Sequence, residues 1–171
     1  MLIIVCGLPG AGKTTVAEDL ADRTDGTLLR TDVVRKDLFD DPDYTEVESY
    51  MVYEGLFERA KDVIEAGGTA VLDGTFQRRG DRVRAAAVAR KLGVGFELVV
   101  VTCDESVVRE RIAAREGDES DADFEVHQHF RDIFDDITMD HDSIDNSGTL
   151  AETEAQVDAV FAERFAPAVE P

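Results

Sequence analysis

A chain of 171 residues with 43% hydrophobic side chains is the length of one domain and can bury roughly 70% of its unfolded surface. Its 38 acidic against 18 basic side chains give a formal net charge of −20, yet that apolar content and its regular spacing exclude a disordered acidic tail. No apolar run reaches the ~18 residues of a membrane span, no basic leader opens the sequence, and Cys6 and Cys103 lie in strand-like runs, so a reduced cytoplasmic protein is expected. Such dense acidity repels itself unless salt screens it, to a length of roughly 3 Å at 1 M, and reads as the surface of a protein from a salt-loving organism.

Leu2-Ile3-Ile4-Val5-Cys6 is a continuous apolar run, as a strand buried on both faces requires. It leads into Gly7-Leu8-Pro9-Gly10-Ala11-Gly12-Lys13-Thr14-Thr15, which satisfies G-x-x-x-x-G-K-[ST], and a helix starting near Lys13 continues through Val16 to Ala21. Strand, glycine-rich loop and helix form the setting in which this motif cradles phosphate. The glycines let backbone N–H groups converge on an anion, and the helix N-terminus adds its positive dipole end. Gly7 to Thr15 is therefore the candidate ATP site, with Lys13 toward the β- and γ-phosphates and the Thr14 hydroxyl on Mg²⁺.

Thr27 to Arg30 is a short strand ending at Thr31-Asp32. Glu46 to Ala66 carries Val47, Met51, Leu56, Phe57, Ala60, Val63 and Ile64 at helical spacing and stops at Gly67-Gly68. Thr69 to Gly74 is a strand, Arg79 to Leu92 a helix closed by Gly93, and Phe96 to Cys103 the longest strand. Helices follow over Glu105 to Arg115 and Phe124 to Asp136, then a brief strand over Asp142 to Asp145 and a last helix over Glu152 to Phe165. Ala166 to Pro171 is a tail. Strands separated by helices predict an α/β, doubly wound parallel sheet of the P-loop NTPase type, with ligands at the carboxyl ends of the strands.

That rule selects residues. The second strand delivers Asp32, then Arg35; the third delivers Asp73, in the apolar-run-then-acid arrangement of a Mg²⁺-coordinating carboxylate. The fourth leads to Arg109, Arg111 and Arg115, the last two sharing one helical face. Taken singly, Asp32 could cap a helix, Asp73 could hold a turn and the arginines could be a solvated face. Between Gly74 and Phe96 stand six cations and one acid, in a chain that is otherwise acidic. Either Arg78, Arg79 and Arg82 hold an anionic substrate at the mouth of the site, or the cluster pairs with neighbouring helices. His127 and His129 have no third ligand close in sequence and make no metal site, and His141 carries no signal.

GLPGAGKTT, LLRTDVVRKDLF, AVLDGTFQRRGDR and CDESVVRERIAARE, in this order, resemble the small-molecule and polynucleotide kinase branch of P-loop proteins. That branch includes polynucleotide 5′-hydroxyl kinases, zeta toxins and ATP-binding proteins fused to aminoglycoside-phosphotransferase-like domains. The resemblance covers about residues 1 to 150 and implies the strand order 2-3-1-4-5. It also implies that Asp32 takes the proton from the acceptor hydroxyl, with Arg35 near the substrate. Arg111 and Arg115 would belong to a lid over about residues 109–125, including the acidic stretch Glu116 to Glu125, and Asn146-Ser147 would lie near the adenine.

Two classes of function follow. One is a kinase transferring the γ-phosphate of ATP to a hydroxyl of a small, anionic acceptor or of a nucleic-acid end. The other is a nucleotide-dependent switch or ATPase acting through a partner protein. Asp32 with Arg35 favours the kinase, since a switch needs no acceptor site, and the overall acidity argues against a long polynucleotide.

Overall fold

Each strand is followed by a helix, and a crossover of that kind returns the next strand parallel to the last. In the computed structural model, which describes residues 1–114 and 124–164, five strands form one parallel sheet in the order 2-3-1-4-5. They are β1 (Leu2–Cys6), β2 (Thr27–Arg30), β3 (Ala70–Asp73), β4 (Phe96–Thr102) and β5 (Asp142–Asp145). The helices are α1 (Lys13–Thr24), α2 (Thr31–Leu38), α3 (Glu46–Glu65), α4 (Arg79–Leu92), α5 (Glu105–Ala114), α6 (Phe124–Ile133) and α7 (Leu150–Arg164).

β1 reads as uninterrupted apolar sequence because both its faces are covered. Leu2, Ile4 and Cys6 join a core with Leu56, Phe57 and Ala60 of α3 and Ala85 and Ala89 of α4. Ile3 and Val5, pointing the other way, join Val16, Ala17 and Leu20 of α1 and Val157 of α7. Each such buried aliphatic side chain contributes roughly 1.5–3 kcal/mol, so the sheet is held from both sides. Among the described residues no helix is long and apolar enough to cross a membrane.

Helix limits follow local chemistry. The Thr45 hydroxyl accepts the Glu48 N–H and starts α3, and Gly93, at φ 69°, ends α4. α7 starts two residues before the expected Glu152, because Thr149 and Glu152 form a capping box: the Thr149 N–H and hydroxyl reach the Glu152 carboxylate at 2.7 and 2.8 Å. α6 ends at Ile133, short of the expected Asp136, because Phe134, Ile137 and Met139 leave the helix to pack on the α3 side of the core.

The segment after α6 is fastened by Arg82. This α4 guanidinium is 0% exposed and donates to four carbonyl oxygens: Phe76 and Gln77 after β3, at 2.7 and 3.0 Å, and Asp135 and Asp136, both at 2.9 Å. Phe134 lies against it, 5.5 Å from ring centroid to guanidinium carbon, and Asp135 accepts the Arg79 N–H at the start of α4. Arg82 is thus a structural staple and not the substrate ligand expected from the sequence. Arg82→Met should lower the unfolding free energy by about 3–5 kcal/mol, because the carbonyls lose their donor inside the protein. Urea unfolding measures this, and a loss under about 1 kcal/mol would contradict the staple.

Candidate active site

The parallel register sets Val5 and Arg30 on either side of Asp73, so the carboxyl ends of β1, β2 and β3 meet at one edge. From β1 the chain turns into the glycine loop, where Gly10 and Gly12 sit at φ 82° and 87°, a region hostile to any side chain. Gly12 is the N-cap of α1, leaving that helix end without a side chain across its first N–H groups. The Lys13 ammonium donates to the Leu8 carbonyl of the same loop at 3.0 Å, a contact it can exchange for phosphate oxygens. Leu8 and Ala11 shape the loop through their backbones, the Ala11 N–H reaching the Leu8 carbonyl at 3.2 Å. Pro9, Thr14 and the exposed Thr15 line the cavity beyond it.

Beside the loop, the Thr14 hydroxyl donates to Asp73 Oδ2 at 2.6 Å. Asp73 is 5% exposed, and the Arg30 guanidinium approaches the same oxygen at 3.4 Å. A hydroxyl and a carboxylate converging next to a phosphate cradle suit Mg²⁺, a hard cation that takes one or two protein oxygens and completes its shell with phosphate and water. Among the described residues no cluster of three or more His, Cys, Asp or Glu could form a self-sufficient metal cage.

Asp32, in the first turn of α2, faces the same cavity from β2. Burial, and then the charge of Asp73, push its carboxyl above the usual carboxylate range, against the opposing pull of Lys13, Arg30 and Arg35. The cavity, of about 1080 Å³, continues past Asp32 between α2, α3 and α6. There Arg35 is held by Glu48 at 3.7 Å and Ser49 at 3.4 Å, with its guanidinium 4.8 Å from the Tyr44 ring centroid. Arg78 reaches Glu46 at 2.6 Å.

The structure therefore brings together Lys13, Thr14, Asp73, Asp32, Arg35 and Arg78 around one cavity. Arg79, beside Arg78, does not line it. Two of the six cations of the basic cluster are spent on structure: Arg84 pairs with Glu54 and packs over the rings of Tyr50 and Phe57, while Arg82 is the staple. Asn146, expected near the adenine, is held against the glycine loop. It is 6% exposed, donates its amide to the Ala11 carbonyl at 2.9 Å and accepts the Thr153 hydroxyl at 2.7 Å, so it braces the glycine loop from behind. Arg111 stands close by, with Nη1 3.5 Å from Cys103 Sγ and near Gly12. Arg115 and residues 115–123 of the expected lid lie outside the described residues. Arg30 was missed, although the carboxyl-end rule that selected Asp73 applies equally to the last residue of β2.

The sheet order, the glycine loop and the paired Thr14 and Asp73 define a P-loop protein with a kinase-like fold. The chain belongs to the AAA domain family, whose model matches residues 2–137. It is 30% identical over 141 residues to an uncharacterized protein of Mycobacterium tuberculosis and to one of Mycobacterium bovis. The match takes in 73% of this chain and 28% of theirs, so the chain spans about a quarter of the length of these curated relatives. Its fold is similar to a gluconokinase of Sinorhizobium meliloti, with a TM-score of 0.73, 20% identity, and coverage of 94% of this chain and 91% of that one. It is likewise similar to Kti12 of Chaetomium thermophilum in complex with ADP-AlF3, with a TM-score of 0.72, 18% identity, and coverage of 94% and 97%. A third likeness is the Mycobacterium tuberculosis APS kinase in complex with AMPPNP and APS, with a TM-score of 0.71, 14% identity, and coverage of 93% and 94%.

Proposed function

We propose that the protein is an ATP-dependent kinase that transfers the γ-phosphate to a hydroxyl of a small, anionic acceptor. The observation that carries this reading is Asp32, a carboxylate on the acceptor side of a cavity whose other wall is the glycine loop. A site that only hydrolysed or sensed nucleotide would not need a second chamber beyond that carboxylate.

Transfer requires that the acceptor oxygen form a bond to phosphorus as the bond to the β-phosphate oxygen breaks, with the hydroxyl proton leaving. Asp32 accepts that proton, and its raised affinity for one suits it to the task. Lys13 swings from the Leu8 carbonyl to the phosphates and balances their charge. Mg²⁺, held by Thr14 and Asp73, would add further neutralisation of the phosphate oxygens when bound. Arg35 and Arg78 supply the positive charge of the acceptor chamber, and Arg78, on an exposed ion pair with Glu46, is the one readily exchanged for a substrate anion.

The test is a screen of hydroxyl metabolites, with and without phosphate or carboxylate groups, for acceptor-dependent ATP consumption in molar KCl. An anionic acceptor should emerge, and Arg78→Gln should raise its KM by about 10-fold while leaving KM for ATP unchanged. ATP consumption that never depends on an acceptor would overturn the kinase reading in favour of a switch or hydrolase.

A further inference from the structure

His127 is the buried residue of α6, at 3% exposure, and it faces the glycine loop. Its Nδ1 lies 2.6 Å from the Pro9 carbonyl oxygen. A peptide carbonyl can only accept, so Nδ1 carries the proton and donates it. The ring stacks on Phe124, with centroids 5.7 Å apart and planes 14° apart, and Phe124 in turn lies under the Arg109 guanidinium of α5 at 4.0 Å. The Arg131–Glu105 ion pair, at 2.6 Å, ties the same two helices further along.

The partner of this hydrogen bond matters because of the peptide to which it belongs. The Pro9 carbonyl and the Gly10 N–H are one planar trans unit, so the two groups point in opposite directions. Fixing the carbonyl toward α6 therefore aims the Gly10 N–H away from α6. A peptide followed by glycine is the one most easily flipped, since Gly10 at φ 82° has no Cβ to resist either orientation. Packing does not fix it: Val108 and Ile112 of α5 press on Gly10, where a Cβ would come within 2.8 and 3.2 Å of them, but they offer its backbone no hydrogen bond. In the flipped orientation the loop would present a carbonyl oxygen where an anion needs a donor.

We propose that His127 is a positioning residue for nucleotide binding: by holding the Pro9 carbonyl outward it keeps the Pro9–Gly10 peptide in the orientation that receives phosphate. This rests on the glycine loop being the nucleotide site. It assigns α6, far along the chain, a direct part in forming the phosphate cradle.

Nucleotide affinity of the wild type and variants, measured by isothermal titration with ATP, or with GTP where ATP does not bind, tests this in molar KCl. His127→Phe keeps the ring, its burial and its stacking on Phe124 but has no donor. His127→Asn loses the ring and keeps an N–H at the same number of bonds from Cβ. The expected result is a Kd about 5- to 10-fold weaker for His127→Phe, with Tm in the absence of nucleotide lowered by no more than about 6 °C. His127→Asn should bind within about 2-fold of wild type even where its Tm is lower. A His127→Phe variant that binds as tightly as wild type, or a His127→Asn variant as weak as His127→Phe, overturns the proposal. Should His127→Phe not fold, His127→Leu takes its place with the same two outcomes. Wild-type protein that binds neither ATP nor GTP overturns the nucleotide-site reading itself, and the positioning role with it.

Discussion

Replacing Lys13 with alanine should lower kcat by about 10²- to 10³-fold or more at saturating ATP while leaving the protein folded. The ammonium donates to the Leu8 carbonyl of its own loop, and its side chain is half-exposed at the cavity, outside both hydrophobic cores. Losing that contact costs at most about 1 kcal/mol, a shift of a few degrees in Tm. In the proposed transfer the same charge would meet the phosphate oxygens as their negative charge develops, where it is worth far more than against a single carbonyl. Turnover and thermal melting measured on one preparation separate the two effects. Near-wild-type turnover in the variant would remove the glycine loop from the chemistry.

Asp32→Asn should reduce kcat by about 10²- to 10⁴-fold with little change in nucleotide affinity, because the amide cannot take the acceptor's proton. The same substitution should make the protein more stable at neutral pH. Burial and the Asp73 charge raise the folded-state pKa of Asp32 above its unfolded value. A group shifted in that direction contributes its full stability below the unfolded pKa and loses it as pH rises through the folded pKa. Above that window the wild type carries a disfavoured charge that asparagine lacks. The Tm advantage of Asp32→Asn should thus be present at neutral pH and fade as pH falls below the ordinary carboxylate range. The acid limb of wild-type kcat should lie above that range and vanish in the residual activity of the variant. If Asp32→Asn is less stable than wild type at neutral pH, the carboxylate is a structural partner and its role as base is lost.

The sequence by itself determined the sheet and the phosphate loop, because both are written in local patterns. The apolar run Leu2 to Cys6, the glycines at fixed offsets before Lys13, and the acid Asp73 at the end of the run Ala70 to Leu72 need only backbone periodicity and steric freedom to be read. α4 was legible over its full span, from Arg79 to Leu92, for the same reason, with Gly93 as its stop. Even the early start of α7 was present as Thr149 and Glu152, three residues apart, a spacing whose meaning is local.

What tertiary structure alone decided is which polar side chain meets which partner across the fold. Arg78, Arg79 and Arg82 look alike in the sequence, yet one lines the cavity, one is exposed and does not line it, and one is buried on four carbonyls. Arg82 finds those carbonyls because Phe134, Ile137 and Met139 bring the chain after α6 back over α4, a long-range packing choice that no window around residue 82 encodes. Asn146 and His127 both turn to carbonyls of the glycine loop from positions more than a hundred residues away in sequence. A donor is committed by whichever acceptor lies within about 3 Å after folding, and sequence spacing carries no information about that distance when the partner lies on another element.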